Sequence, residues 1–361
     1  MSGWPDRRLP DLFGVEHPIL LAPMAGPGGA ALGVAVADAG GLGSLPCALL
    51  SPDKAWAALE AFRAATSAPV NLNFFCHSPP DADPAREDAW RARLAPYYAE
   101  LGLERGASVA TPTRNPFDEA FCGLVERARP EVVSFHFGLP SAPLLDRVRR
   151  AGAKVIASAT TVAEARWLEE RGCDAVIAQG LEAGGHRSAF LDLDMARQVG
   201  TFTLVPQVVD AVKVPVIAAG GVADARGIVA ALALGAAAVQ IGTAYLLCPE
   251  ADTPPLHRRA LTSIEDDGTE VTNLFTGRPA RGIVNRLMRE IEALSADAPD
   301  FPLAAAALAP LRAKAEAAGS DDFTNQWAGQ AAPLARAEPA GELTRRWARE
   351  ALAKLISAPV P

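Results

Sequence analysis

The sequence lacks the long apolar runs of a membrane protein and the positive charge of a nucleic-acid-binding protein. Glycine, proline or aspartate breaks each apolar stretch well before the ~18 residues that a transmembrane helix needs. The 361 residues include 34 Lys and Arg against 42 Asp and Glu, so the net charge of −8 provides no basic face for phosphates. Half of the residues are hydrophobic, which excludes a disordered chain. We therefore expect no nucleic-acid partner and no membrane partner.

Cysteine is scarce, and its spacing matches neither a disulfide framework nor a metal site. There are five cysteines, an odd number, and no CxxC or Cys/His ligand pattern occurs. The first residues, MSGWPDRRLPDLFG, lack the apolar core of a secretory signal peptide. We predict a cytoplasmic enzyme with reduced thiols and no bound metal. The cysteines are Cys47, Cys76, Cys122, Cys173 and Cys248.

Short apolar runs alternate with alanine-rich segments that are typical of helices. The runs are continuously apolar rather than alternating, as in strands buried on both faces of a parallel sheet. Eight strand–helix units over roughly 250 residues is the count of a (β/α)8 TIM barrel, so we predict this α/β fold. The predicted strands are Pro18–Met24, Gly41–Leu45, Val70–Phe75, Val132–Gly138, Lys154–Ala159, Ala175–Gly180, Val214–Gly220 and Ala238–Thr243. The predicted helices are Ala30–Ala39, Asp53–Thr66, Ala142–Ala151, Thr161–Arg171 and Ala223–Leu234.

A capping box marks the start of one of these helices. Thr161 is followed three residues later by Glu164, a spacing at which the two side chains bond each other's backbone N–H groups. Gly172 ends the same helix.

A doubly wound open sheet is the alternative fold. Residues Gly26–Ala31 follow the first strand and approximate a glycine-rich dinucleotide fingerprint. That fingerprint requires an acidic residue at the end of the second strand, where this chain has Ser44–Pro46. The barrel is therefore the prediction that we retain.

Two segments exceed a minimal barrel. We predict that residues 1–253 form the barrel with an insertion at about 76–130, helical over Ala85–Leu101, and that residues 254–361 form a mostly helical C-terminal segment. Both segments follow the carboxyl ends of strands, where they could cap the mouth of the barrel. Periodicity alone equally allows a tail packed on the outside.

Two glycine-containing turns follow the last two barrel strands. TIM barrels often bind a phosphate between these loops, where backbone N–H groups meet the anion. Gly220–Gly221 permits a close approach of the backbone, and Gly242–Thr243 adds a second turn with a hydroxyl. We predict a phosphate-bearing ligand at this position.

The remaining strand ends are neutral. Asn73, Gln179, Pro23 and Met24 lie there, although Met24 can also be explained by packing alone. The strand ends carry no Asp/Glu pair, no GxSxG turn and no lysine that could form a Schiff base. A site with amides but few acids, bases or nucleophiles indicates that a cofactor performs the chemistry. A flavin fits, because amides can bind the polar edge of its ring.

His186 is the candidate for proton transfer. It follows the sixth strand in the small-residue loop Glu182–His186, and a histidine titrates near neutral pH. We interpret His136, which lies inside an apolar strand, as a hydrogen-bonded core residue. The other three histidines are interpreted as surface or hinge residues; they are His17, His77 and His257.

The chain resembles the FMN-dependent nitronate monooxygenases, formerly called 2-nitropropane dioxygenases, and is most similar to their class I. The matching stretches are PILLAPMAG, GGLGSLP, LNFFCH, VVSFHFGLP, VIAQGLEAGGHRS, PVIAAGGVADARGIVAALALGAAAVQIGTAYLLCPE, TGRPARGIVNR and QWAGQ. The resemblance implies a TIM barrel that binds FMN non-covalently. It also implies oxidation of alkyl nitronates, notably propionate 3-nitronate, by O2 to a carbonyl compound and nitrite. We expect a monomer or a homodimer.

The resemblance also assigns roles to residues. It implies that His186 is catalytic, and that Asn73 and Gln179 bind the flavin ring; Asn71 competes with Asn73 for this role. The implied cofactor-binding residues are Ala22, Pro23, Met24, Asn73, Gln179, Gly184, Gly185, Gly220, Gly221, Gln240, Ile241, Gly242 and Thr243.

Two other functions stay open from the sequence. The EAGGH loop and the phosphate turns are shared with FabK-type enoyl-acyl-carrier-protein reductases, so an NAD(P)H-dependent flavin reductase acting on enoyl thioesters or quinones is the main alternative. A flavin-binding protein without turnover is the other. The SFHFG, NFFCH and WAGQ stretches favour the monooxygenase. The sequence does not distinguish a basic from a positively charged His186.

Overall fold

Eight parallel strands form a closed barrel in the computed structural model, which describes residues 3–81, 83–104, 106–107 and 114–357. The barrel order is β1-β9-β8-β6-β5-β4-β3-β2. A parallel bridge between Leu20 and Leu42 joins β1 to β2 and closes the ring. The predicted (β/α)8 fold is confirmed. The strands are β1 Ile19–Leu21, β2 Gly43–Pro46, β3 Val70–Phe75, β4 Val132–His136, β5 Lys154–Ala159, β6 Ala175–Gln179, β7 Gly185–His186, β8 Val216–Ala219, β9 Ala238–Ile241, β10 Thr269–Thr272 and β11 Ala280–Ile283.

Helices surround the barrel and also form the insertion and the tail. They are α1 Arg8–Phe13, α2 Ala30–Ala37, α3 Pro52–Ala65, α4 Pro84–Glu100, α5 Glu119–Ala128, α6 Ala142–Arg150, α7 Val162–Glu170, α8 Thr201–Ala211, α9 Ala225–Ala233, α10 Pro255–Ser263, α11 Arg286–Glu290, α12 Ala304–Ala317 and α13 Ala340–Ser357. No helix of the described ranges is both long and apolar enough to cross a membrane.

The core has one layer inside the barrel and one outside it. Apolar side chains from six of the barrel strands fill the amino-terminal half of the interior, and Leu9 and Phe13 of α1 pack in the same cluster. A second layer lies between the strands and the surrounding helices. Because the strands are covered on both faces, their continuous apolarity is explained.

The capping-box prediction for α7 is only half right. The Thr161 hydroxyl accepts a hydrogen bond from the Glu164 N–H at 3.2 Å, as an N-cap does. The Glu164 carboxylate instead accepts from the N–H and hydroxyl of Thr160, at 2.6 and 2.8 Å. Its other oxygen accepts from the N–H groups of Phe190 and Leu191, at 2.6 and 3.1 Å. Glu164 therefore fastens the chain that follows β7 to the barrel.

The insertion packs on the tail. Helix α4 contacts α12, and Trp90 Nε1 donates to the carbonyl of Ala304 at 3.2 Å. The Tyr98 hydroxyl donates to the carbonyl of Ala307 at 2.6 Å. Helix α13 instead packs against α2 and α9 on the outside of the barrel.

The tail also contains strands that the sequence did not indicate. β10 pairs antiparallel with β11, and β11 pairs with β7, which carries His186. Part of the tail is thereby attached to the segment that follows the sixth barrel strand.

Candidate active site

The interior of the barrel is polar in its carboxyl-terminal half, whereas its amino-terminal half is apolar. Asn73 of β3 is buried, and its Nδ2 donates to the Ser134 hydroxyl of β4 at 2.9 Å. Asn71 lies two residues deeper, where its Nδ2 donates to the Ser44 hydroxyl at 3.0 Å and its Oδ1 has no partner. Of the two competing asparagines, Asn73 is the one at the carboxyl end of the strand.

Two side chains hold the backbone of His186 in place. Gln179 Nε2 and His136 Nε2 lie 3.0 and 3.2 Å from the His186 carbonyl oxygen. Gln179 Oε1 accepts from the N–H of Ser188 at 2.9 Å, so both ends of this amide bind the same segment. Gly185 has φ +74°, a left-handed conformation that glycine adopts without strain. The site therefore orients His186 through its backbone as well as its ring.

The His186 ring lies in an aromatic enclosure. Its Nε2 is 2.9 Å from the Thr276 hydroxyl, which belongs to the turn before β11. Four other rings have centroids 5.3–6.2 Å from the imidazole; they are Phe75, Phe137, Phe301 and Trp327. The last two and Thr276 come from the tail, and no sequence pattern placed any of them at the site.

The surroundings of His186 favour its neutral form. Burial lowers the pKa of His186 well below its usual value, and the positive charges of Arg114 and Arg278 and the imidazoles of His136 and His77 lower it further. None of the groups that shift its pKa is a carboxylate. The imidazole is therefore uncharged at neutral pH in the protein, and it can accept a proton.

The interpretation of three histidines as surface or hinge residues is wrong, because His17, His77 and His257 are all buried. His77 belongs to the site: its ring centroid is 4.7 Å from that of Phe301, and burial lowers its pKa to about 4. His136 is hydrogen-bonded as predicted, and burial lowers its pKa to about 3. The signal for His77 was its position just past the carboxyl end of β3, where barrel enzymes carry functional residues.

The predicted phosphate turns are tightly built. Gly220 and Gly221 have φ +109° and +73°, so the turn after β8 requires glycine at both positions. A Cβ on Gly220 would lie 2.9 Å from the Thr201 hydroxyl. A Cβ on Gly242 would lie 3.1 Å from Ala22 Cβ and 3.6 Å from Met24 Sδ, which brings the ends of β1 and β9 together. Buried Gln240 Oε1 has no hydrogen-bond partner.

The tail segment 326–330 contacts both parts of the site. The Gly329 N–H donates to the Thr243 hydroxyl at 2.9 Å. A Cβ on Gly184 would lie 2.5 Å from the nitrogen of Gly329, so the two backbones touch. Trp327 reaches the His186 ring from the same segment. The QWAGQ stretch thus links the phosphate turns to His186.

Comparisons with known proteins give one consistent result. A sequence model described as nitronate monooxygenase matches residues 6–349. The nitronate monooxygenase of Pseudomonas aeruginosa is 42% identical over 345 residues, covering 95% of this chain and 98% of that protein. A probable nitronate monooxygenase of Staphylococcus aureus is 36% identical over 341 residues, covering 94% of this chain and 96% of that protein.

Solved structures agree with the sequences. The nitroalkane oxidase from Streptomyces ansochromogenes superposes with a TM-score of 0.87 at 37% identity, covering 97% of this chain and all of that one. FabK from Thermotoga maritima superposes with a TM-score of 0.71 at 27% identity, covering 97% of each chain. The resemblance stated from the sequence is confirmed: the chain is an enzyme that belongs to the nitronate monooxygenase family.

Proposed function

We propose that the protein is an FMN-dependent enzyme that oxidises alkyl nitronates, propionate 3-nitronate among them, with O2 to a carbonyl compound and nitrite. The observation that carries this proposal is the environment of His186. The imidazole is hydrogen-bonded to Thr276, and the charged groups of the described residues that act on it are Arg114 and Arg278. Such a pocket favours an anionic substrate, and a nitronate is an anion.

The residues present fit a flavin mononucleotide. The paired glycines after β8 carry no side chain that would keep a phosphate from their backbone, and unpartnered Gln240 Oε1 is a buried acceptor in need of a donor. The residues that would hold the cofactor are Ala22, Pro23, Met24, Asn73, Gln179, Gly184, Gly185, Gly220, Gly221, Gln240, Ile241, Gly242 and Thr243. When bound, FMN would supply the redox chemistry that none of these side chains can perform.

His186 acts on the substrate in our proposal. Because its pKa is lowered, the imidazole can accept a proton from a neutral nitroalkane, or donate one hydrogen bond to an oxygen of a nitronate. Thr276 fixes the ring orientation through Nε2. The lowered pKa therefore favours a neutral His186 over a positively charged imidazolium that donates hydrogen bonds to the substrate.

The first part of the tail caps the site in our proposal. Phe301 and Trp327 place their rings beside His186, and β11 pairs with the strand that carries it. These apolar rings would exclude water from the reacting atoms. Helix α13 has no such role, because it packs on the outer helices.

One comparison tests the proposed function. We expect the purified, flavin-loaded protein to release nitrite from propionate 3-nitronate in air without consuming NAD(P)H. Bleaching of the flavin by NAD(P)H without nitrite release would instead support a reductase, the alternative favoured by the likeness to FabK. A loaded protein that performs neither reaction would contradict the proposal.

A further inference from the structure

We propose that Arg278 determines substrate specificity by binding the carboxylate of an acidic nitronate, an inference that rests on the proposed function. The residue lies in the turn between β10 and β11, two positions after Thr276. Thr276 is the hydrogen-bond partner of His186 Nε2. The same turn therefore carries both the residue that contacts the imidazole and, two positions later, the guanidinium of Arg278.

The Arg278 side chain is held in one orientation. Its Cζ lies 4.0 Å from the centroid of the Phe137 ring, and one terminal nitrogen donates to the carbonyl of Ala189. The Phe137 ring centroid is in turn 5.9 Å from that of His186. The guanidinium and the imidazole therefore lie against the same aromatic ring.

Phe137 is itself in an unusual conformation. Its φ of +70° lies in the left-handed region, which a bulky L-residue adopts only where the surrounding structure imposes it. The ring packs 4.6 Å from that of His136 and 4.8 Å from that of Phe75, between centroids. Strain of this kind is concentrated at functional sites, and here it places the ring under the guanidinium.

Arg278 has hydrogen-bonding capacity that the protein does not use. Its Nε is buried and has no partner. No Asp or Glu of the described ranges lies within 4.0 Å of its guanidinium, and Glu164 acts on it only as a more distant charge. A partly buried cation with a buried, unpartnered Nε and no adjacent counter-ion is unfavourable, so the site is completed when an anion binds.

His77 adds a second unused polar group near Arg278. Its buried Nδ1 has no partner, and the charge of Arg278 contributes to the lowering of its pKa. A planar guanidinium can donate two parallel hydrogen bonds to a carboxylate. A short substrate with an anionic group at each end would present the nitronate to His186 and the carboxylate to Arg278.

The experiment compares a nitronate that carries a carboxylate with a nitronate that does not. For the flavin-loaded enzyme, kcat/KM is measured for propionate 3-nitronate and for ethyl nitronate, and their ratio is taken. In Arg278→Met we expect the ratio to fall by roughly ten- to a hundredfold, because a charged hydrogen-bond pair is lost. Arg278→Lys keeps the positive charge but loses the planar guanidinium that can donate two parallel hydrogen bonds, so we expect a smaller fall in the ratio.

Arg281→Met is the matched control. Arg281 lies in β11 of the same hairpin, but its guanidinium already donates to the carbonyls of Leu181 and Thr269. Its loss should leave the ratio within about twofold, since no substrate donor is removed. An unchanged ratio in Arg278→Met and Arg278→Lys, or an equal fall in Arg281→Met, would overturn the proposal.

A binding measurement separates this inference from the proposed function. Without O2, the dissociation constants of 3-nitropropanoate and nitroethane are measured by calorimetry for the same variants. We expect Arg278→Met to weaken binding of 3-nitropropanoate at least tenfold more than that of nitroethane. If the wild-type enzyme released no nitrite from either nitronate, the proposed function would fail, and this binding difference would still decide the role of Arg278.

Discussion

The two ends of the barrel interior are built from the same eight strands and differ in what fills them. At the amino end, Leu20, Leu42, Ile156 and Ile177 pack with the side chains of α1. At the carboxyl end, the buried side chains include amides, hydroxyls and imidazoles, Asn73 and Gln179 among them. The first end is a satisfied apolar core, whereas the second is polar and incompletely paired.

The unpaired atoms support our proposal that the carboxyl end binds the ligands. An unpartnered buried donor or acceptor costs about 1–3 kcal/mol of folding free energy, so such atoms are rare in cores. Among the described residues, such atoms at this site or in the barrel interior below it include Asn71 Oδ1, His77 Nδ1, Gln240 Oε1 and Arg278 Nε. In our proposal, the amino end of the barrel contributes stability, whereas the carboxyl end is less stable because its polar groups serve binding and chemistry.

The largest expected effect at the carboxyl end is on turnover. With a neutral nitroalkane as substrate, His186→Asn should lower kcat for nitrite release by roughly 100- to 10,000-fold, because the group that accepts the proton of the substrate is removed. The free energy of unfolding should change by less than about 1 kcal/mol, since the ring is neutral. Steady-state kinetics and urea unfolding measure the two quantities.

The same substitution at the other end is the control. His17 is also buried and receives a hydrogen bond from Trp4 Nε1 at 3.3 Å, but it lies before β1 at the amino end. His17→Asn should leave kcat within about twofold of wild type. A comparable loss of turnover in both variants would mean that His186 has no special chemical role.

A substitution at the amino end should lower stability and leave turnover unchanged. Leu20→Ala removes a fully buried side chain of the interior cluster and should destabilise the protein by about 2–5 kcal/mol. Because the Leu20 side chain packs in the apolar cluster at the amino end, kcat of the folded enzyme should be retained. Urea unfolding gives the first value and nitrite release the second; a large loss of kcat with unchanged stability would refute the division of roles.

Acidification should lower the stability of the protein through a histidine at the carboxyl end. The pKa of His77 falls from 6.5 to about 4 on folding because of burial. Below pH 6.5 the unfolded chain therefore takes up a proton that the folded protein does not, so stability decreases between pH 6.5 and about pH 4 and is constant above that range. At pH 5 this single histidine should cost roughly 2 kcal/mol.

Urea midpoints of wild type and His77→Gln at pH 7.5 and pH 5 measure this effect. The variant should lose less stability than wild type on acidification, because its amide does not titrate. Identical losses in the two proteins would show that His77 is not the group responsible.

The smallest expected effect concerns the contact between the tail and the phosphate turns. A Cβ on Gly329 would lie 2.6 Å from the carbonyl oxygen of Glu182, so Gly329→Ala should displace the tail from the loop that holds Gly184. We expect FMN to dissociate about tenfold more readily, which is ~1.4 kcal/mol. Gly123→Ala is the matched control, since its Cβ would meet nothing within 4 Å. Equal FMN affinity in both variants would remove the tail from the proposed site.

The barrel strands could be predicted from sequence because their signal is local. Val70–Phe75 and Lys154–Ala159 were predicted with the bounds that the structure shows. Helix α8 was missed, because its β-branched residues and Pro206 have low helix propensity and packing on β6 and β8 overrides them. The sheet of β7, β10 and β11 was missed because strands of two to four residues have no readable period.

Only those candidate site residues that lie on or just after barrel strands could be predicted from the sequence. Asn73 lies on a barrel strand, and His186 and the glycine turns follow barrel strands, so their common location was expected from the fold. Thr276, Phe301 and Trp327 reach His186 from distant parts of the tail, and their contacts depend on tertiary packing that no local pattern encodes.

The most direct test of the account is a titration of the cofactor-free protein with FMN and with riboflavin, followed through the visible absorption of the flavin. If the carboxyl end binds a flavin through the phosphate at Gly220–Gly221 and Gly242–Thr243, FMN should bind saturably and riboflavin at least about tenfold more weakly. A protein that binds neither compound, or both equally well, would contradict the assignment of this end of the barrel.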